Sequence, residues 1–377
     1  MEGKRASGLS AYVAGRGAVS AFGIGREALF DGVFSGRSAI RPRERLAEVV
    51  SPCAVAAELP RETLTRCGTP LVLCAALAAA REALSEASLV PDERCGLVLA
   101  TTKADLEGGI APARACGRPW RLLAELAEHL GMHGPTSAVS CACASGLAAL
   151  ALGGRWLRSG RATRVLVVGA DVLNEFIFRG FASLLALAPG PCQPFTPRRA
   201  GLSLGEGAGA ILLSAHASES LGARLLSAGA SNDANHLTGP SRDGSGLALA
   251  IERALAQAAL APEAIDYAHL HGTGTDYNDA MECKALRRVF PVPPAASGSK
   301  AQLGHTLGAA GLLESLITLE ALTRALAPPN VGLMELDPEL GLSLHASARP
   351  LARARTALKL AAGFGGINVA LVFARSG

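Results

Sequence analysis

The 377-residue chain reads as an α/β protein with buried sheets, built from a duplicated βαβ unit. Three observations predict this. Apolar strand-length runs alternate with helical Ala/Leu patterns from end to end, the rhythm of helices layered on sheets. Several runs, Cys95–Thr101, Arg164–Gly169 and Gly207–Ser214 among them, are continuously apolar, which suits strands covered on both faces. The order of elements is similar before and after about Ala215, so residues 1–215 and 216–377 are expected to form two related halves.

In chain order, Tyr12–Val19 predicts a first strand ending in a Gly-rich turn, and Arg26–Phe34 a short helix stopping at Gly36. Thr69–Ala87 is a long Ala/Leu helix, and Cys95–Thr101 a strand. Pro119–Leu130 has amphipathic spacing with Pro at its start. Thr136–Cys141 is a strand running into a helix that ends near Leu157. Arg164–Gly169 is a central strand, Ile177–Leu187 a helix before the Pro-rich loop Pro189–Pro197, and Gly207–Ser214 a strand. The second half repeats the pattern: strand Ala223–Gly229, helix Gly246–Ala259, strand Tyr267–Leu270, and helices Asn278–Val289 and Thr306–Ala325. Leu342–His345, Leu358–Ala362 and Val369–Phe373 are expected as closing strands.

Composition excludes several classes. Hydrophobic residues make up 49% and charged residues 18%, so the chain builds a core and is not disordered. A net charge of +4 without a basic run does not point to nucleic acid. The nine cysteines show no disulfide framework, which implies a reducing compartment. Cys141-x-Cys143 lacks a second pair, so no zinc or other metal site is expected. The N-terminal stretch has no signal-peptide core and no run is long enough to span a bilayer, so a cytoplasmic protein away from membranes is expected.

The chemistry centres on Cys141-Ala142-Cys143-Ala144-Ser145-Gly146. A strand running into a helix at a cysteine puts the sulfur over the first helical turn. There, unpaired N–H groups and the dipole favour a thiolate, which predicts a lowered thiol pKa. Two histidines downstream complete a constellation. His271 follows an apolar strand in His271-Gly272-Thr273-Gly274-Thr275, a tight loop whose hydroxyls suit a polar chain. His305 stands in Lys300-Ala301-Gln302-Leu303-Gly304-His305, at the predicted start of a long helix, whose positive end should keep the ring neutral and donating. Each histidine alone reads as structural; with a helix-start cysteine they read as a site.

These motifs resemble those of the β-ketoacyl-[acyl-carrier-protein] synthases of the thiolase fold, in the subclass with a Cys-His-His site. The likeness runs from about Val13 to Phe373: CACASG, then HGTGT, then KxxxGHxxGAAG, then Gly363-Phe364-Gly365-Gly366, in the family's order, with Gly205-Glu206-Gly207-Ala208-Gly209 before the half-way point. The resemblance implies a five-layer α-β-α-β-α arrangement. It makes Cys143 the acyl-accepting nucleophile and Cys141 packing. His271 and His305 would hold the extender thioester carbonyl, and the backbone N–H groups of Cys143 and Phe364 would form an oxyanion hole. Thr273 and Thr275 match threonines that contact pantetheine. Lys300 and Glu314 match a Lys/Glu pair counted with the catalytic residues, Gly363–Gly366 a gating loop, and Asp279 and Glu282 structural carboxylates. The implied reaction is decarboxylative condensation of an acyl group with a malonyl thioester. The partner would be an acyl carrier protein, and no cofactor is implied beyond the phosphopantetheine on that carrier. A homodimer or heterodimer with a related subunit is implied, pairing through Thr136–Cys141.

The sequence also departs from the family. The segment between Thr102 and Pro135 is short, acidic residues are missing from Pro194–Gly201, and His269 stands where Asn is common. His269 shares a strand face with His271 and could compete as the functional imidazole. Leu360-Ala361-Ala362 replaces a more polar run before the gating loop, which suggests a more open loop, unusual acyl groups and a specialised pathway. Two other readings stay open: a non-elongating chain-length-factor-like partner, and an acyltransferase or hydrolase on the same fold. A thiolase is disfavoured because no cysteine stands near Gly363–Gly366.

Overall fold

The computed structural model describes residues 11–46, 48–49, 51, 53–60, 64, 69–106 and 118–376. Eleven strands form its main sheet among the described residues; a two-residue strand at Gly23–Ile24 pairs antiparallel with β1 alone, and the other ten are β1 (Ala11–Ser20), β2 (Cys95–Ala100), β3 (Thr136–Val139), β4 (Arg164–Asp171), β5 (Gly207–Ser214), β6 (Ala223–Asn232), β7 (Tyr267–His269), β8 (Ala295–Ser297), β9 (Thr356–Gly363) and β10 (Ile367–Arg375). Across the sheet these ten run β8-β7-β9-β10-β6-β1-β5-β4-β2-β3. Numbered within its own half, each set of five strands follows the order 3-2-4-5-1. In each, the first two pairings are parallel and the last two antiparallel. The duplication expected from the sequence is therefore present at the level of topology. The strands of the two wings join where Ala11 pairs with Leu225 and Tyr12 with Arg224.

Five layers result. Helix α2 (Leu71–Glu86) covers the outer face of the first wing, next to α3 (Pro119–Leu130). Helices α6 (Ser245–Ala258) and α7 (Asp276–Val289) cover the outer face of the second. Between the wings lie α4 (Ser145–Arg158) and α8 (Ala310–Arg324), each touching strands of both. The described residues also form helices α1 (Arg26–Phe34) and α5 (Glu175–Ser183) and a single helical turn at Lys300–Leu303. The central α8 is buried on nearly all sides: apart from Glu320, Thr323 and Arg324, every residue from Ala310 to Arg324 is buried. A helix apolar all round belongs inside a large core.

Most elements stand where the sequence predicts them; the differences that bear on the site and core are these. Leu342–His345 is not a strand; Leu342 and Leu344 are buried under α7 as irregular chain, so apolar alternation there reflects burial without a ladder. Ala295–Ser297 is a strand that the sequence reading misses. Helix α5 begins at Glu175 because the Asn174 side chain accepts from the Ile177 N–H at 2.9 Å and caps it. The long helix expected from Thr306 starts at Ala310, after a 3-10 turn at Leu307–Ala309 in which Leu307 has φ 51°. Part of the short Thr102–Pro135 segment, 107–117, lies outside the described residues, as does 1–10.

Candidate active site

Cys143 sits on a turn made by its neighbours. Ala142 takes the left-handed backbone at φ 47°, a conformation costly for a residue with a Cβ. Ser145 pins it: its Oγ accepts from the Cys141 N–H (2.8 Å) and donates to the Ala142 carbonyl (2.6 Å). The turn leads into α4, which starts at Ser145, two residues beyond the sulfur. Gly146 then lets α4 meet α8 closely. A Cβ on Gly146 would stand 2.8 Å from the Gly311 Cα, and one on Gly311 would stand 2.6 Å from the Leu147 nitrogen. The glycines that close the first and third motifs are thus packed on each other, and they lock the two halves together beside the sulfur.

The hairpin between β9 and β10 closes over this turn. A Cβ on Gly363 would lie 3.4 Å from the Cys143 nitrogen, and the Phe364 N–H is close enough to the Cys143 sulfur to favour its thiolate. Gly365 and Gly366 have φ 83° and 77° and make the reversal. Residues 232–237 brace it: the Gly365 N–H donates to the Leu237 carbonyl (2.7 Å), and the Asn232 amide donates to the Gly365 carbonyl (3.0 Å). The Phe364 ring packs on Phe181, centroids 5.8 Å apart. Burial pushes the Cys143 thiol up to about 11, although Lys300 and the Phe364 N–H pull the other way. The lowered value expected from the helix start is corrected: desolvation dominates for a sulfur this enclosed.

His305 is held by the first half of the chain. Its N–H donates to the Ser203 carbonyl (2.7 Å) and its carbonyl accepts from Gly205 (3.0 Å). Three residues on, the Gly308 N–H donates to Asp171 at 2.7 Å. Asp171 is buried and is also bonded by Thr101 and Thr102, so it ties the end of β4 to the His305 loop. Nδ1 of His305 accepts from the Leu307 N–H (3.2 Å), which puts the ring proton on Nε2. That Nε2 is buried with no partner.

His271 is held by charges. Its N–H and that of Gly272 donate to Glu282 (2.5 and 2.9 Å), while its carbonyl and Nδ1 both receive Lys300 Nζ (2.5 and 3.3 Å). Lys300 also bonds Glu314 at 2.5 Å. With Nδ1 accepting, the proton of this ring too lies on Nε2. The two rings stand edge to face, centroids 5.4 Å apart. Burial first, and the Lys300 ammonium second, hold both histidines well below their usual pKa, so both are neutral. The helix-end account of His305 is therefore replaced by burial, since the helix begins five residues further on.

Cys143, His271, His305, Thr273, Thr275, Gly363 and Phe364 line one cavity of about 640 Å³. Gly365 and Gly366 shape the hairpin without lining it, and Lys300 and Glu314 lie behind His271. The Thr273 and Thr275 hydroxyls bond each other at 2.8 Å. Asp279 accepts from the N–H groups of Phe195, Thr273 and Gly274 and so shapes this loop, as Glu282 does. His269 is removed from contention: its Nδ1 meets Tyr267 Oη (3.1 Å), its Nε2 meets Ser299 Oγ (3.2 Å), and it does not line the cavity. Sequence reasoning missed Ser145, Asp171 and the buried Lys359, which lies 2.7 Å from Glu314. For Lys359 the signal was available, a lone charge inside the apolar run Thr356–Gly363.

A sulfur and two neutral N–H donors thus meet at one cavity in a duplicated, thiolase-like fold. Comparison with known proteins narrows this. Residues 69–218 match the model "Beta-ketoacyl synthase, N-terminal domain", and residues 222–334 match "Beta-ketoacyl synthase, C-terminal domain". The chain is 33% identical over 344 residues to nodulation protein E of Rhizobium leguminosarum bv. trifolii, with 84% of each chain covered. It is 34% identical over 263 residues to 3-oxoacyl-[acyl-carrier-protein] synthase 2 of Vibrio cholerae, covering 65% of this chain and 63% of the other. Among solved structures, the ishigamide ketosynthase/chain length factor aligns at TM-score 0.90 and 29% identity, over 98% of this chain and 99% of the other. The chain belongs to the β-ketoacyl synthase family.

Proposed function

We propose that the chain condenses an acyl group, carried on Cys143, with a malonyl thioester to give a 3-ketoacyl thioester and CO2. The observation that carries this reading is the pair of neutral imidazoles, each with Nδ1 occupied and Nε2–H left over, beside a cysteine in one cavity. Acyl transfer alone uses one oxyanion site. A second pair of donors has a purpose when decarboxylation builds an enolate, because donors fixed in advance stabilise charge as it develops.

The steps follow. Cys143 sulfur attacks the acyl thioester; the carrier thiol leaves with the proton the cysteine gives up. The N–H groups of Cys143 and Phe364 receive the tetrahedral oxyanion. The malonyl thioester then binds with its carbonyl oxygen between His271 and His305, Thr273 and Thr275 holding its pantetheine arm. Breaking the C–CO2 bond leaves its electron pair as the enolate, whose carbon attacks the acyl-enzyme carbonyl and expels the Cys143 sulfur as thiolate, which takes a proton from solvent to restore the thiol. Lys300 and Glu314 support His271 from behind.

Several finer assignments belong to this reading. Residues 1–215 and 216–377 are taken as its two halves. An acyl carrier protein presents the thioesters, in keeping with the names of relatives, and the compartment is the cytoplasm, in keeping with free cysteines at all seven described positions. A second subunit, identical or related, pairs along β3, the last strand at one end of the sheet; one similar structure is a ketosynthase/chain length factor. Gly363–Gly366 gates the acyl group, and the apolar Leu360–Ala362 run suits a specialised pathway.

His305→Ala tests the reading. Acyl loading of Cys143 should persist, while CO2 release from malonyl thioester falls about 10²–10³-fold. A wild type that transfers acyl groups but never releases CO2 would make the protein a transferase, and one that loads no acyl group would make it a non-elongating partner.

A further inference from the structure

Lys359 lies in the middle of β9 and its side chain is fully buried. A desolvated ammonium is costly unless its charge and its N–H bonds find partners. Nζ is 2.7 Å from Oε2 of Glu314 and donates to the carbonyls of Leu360 (2.5 Å), Leu270 (3.4 Å) and His269 (3.5 Å). The register explains this reach. Strand β9 runs parallel to β7 with Lys359 level with His269, where β7 ends and the chain continues to His271.

Beyond that end, the backbone is gripped by charged side chains on both sides. Lys359 takes the Leu270 carbonyl and Lys300 the His271 carbonyl, while Glu282 takes the N–H groups of His271 and Gly272. Glu314 joins the two ammoniums, with Lys300 on Oε1 and Lys359 on Oε2. Lys359 does not line the cavity.

We propose that Lys359 is a positioning residue for decarboxylation: by holding the second oxygen of Glu314 and the carbonyls that precede His271, it fixes that ring where the enolate forms. The inference rests on the reaction proposed above. It separates the two half-reactions, because the grip acts on His271 and not on the turn that carries Cys143.

Lys359→Met keeps the length of the side chain and removes the charge. Acyl loading of Cys143, read by intact mass, should stay within about twofold, and KM for the malonyl thioester should not change. The kcat of CO2 release should fall about 10–100-fold, the scale on which removing a supporting group acts. Lys359→Gln, which keeps a donor for the Leu270 carbonyl, should lose less, and it carries the test if the Met variant fails to fold. In a Glu314→Gln background, Lys359→Met should cost little more, since the two act through one contact. Equal losses in loading and CO2 release, or unchanged CO2 release in a folded variant, would overturn the assignment. A wild type that loads acyl groups without releasing CO2 would remove the reaction itself, and this inference with it.

Discussion

Cys143 and His271 border the same cavity but are held there by opposite means. The cysteine is set by backbone: a left-handed Ala142, one serine hydroxyl, and glycines that let α4, α8 and the β9–β10 hairpin close on it. The histidine is set by buried charge: Lys300, Lys359, Glu282 and Glu314, drawn from four separate parts of the chain. His305 falls between, hung by backbone bonds on 203–205 and by Asp171. The difference teaches where the site is fragile. The nucleophile depends on close packing, and the imidazole depends on charge balance.

Each side can be broken separately. Glu314→Leu should give the largest effect, because it strands two buried ammoniums; stability should fall by about 3–5 kcal/mol in a denaturant titration. A loss under 1 kcal/mol would mean that the charges do not hold this region. Gly311→Ala is the matching insult to the packed side. Its methyl meets α4 backbone that cannot yield freely, so about 1–3 kcal/mol should be lost, with slower acyl loading of Cys143. Full loading in that variant would separate the helix contact from the nucleophile. The smallest effect sharpens the contrast by titration. A thiol raised to about 11 stays protonated at neutral pH, so its thiolate fraction, and the rate of Cys143 alkylation by iodoacetamide, should rise about tenfold per pH unit from 7 to 10. A rate already level near pH 7 would show the helix start outweighing burial.

The same contrast explains what was legible in the sequence. The elbow is six consecutive residues whose small side chains announce themselves, and strand-helix alternation gave most element positions to within a few residues. The support of His271 is assembled from positions 282, 300, 314 and 359, and no local pattern links them. Lys300 and Glu314 are reached through family likeness, whereas Lys359 is legible only as a lone charge in an apolar strand, which does not say what it pairs with. The thiol pKa differs from the local expectation for a related reason: the helix start is local and readable, but the burial that outweighs it comes from packing distant in sequence, the β9–β10 hairpin included. Leu342–His345 shows the reverse error, a local alternation with no strand partner to complete it.

The central claim is that one sulfur and two imidazoles serve a single thioester, and it is tested most directly at the sulfur. Wild-type protein and Cys143→Ser should be incubated with an acyl-carrier thioester, without malonyl thioester, and weighed intact. The account predicts one acyl mass added to the wild type, mapped to Cys143 by peptide analysis, and none stable on the variant. An adduct on Cys141, or none at all, would contradict it.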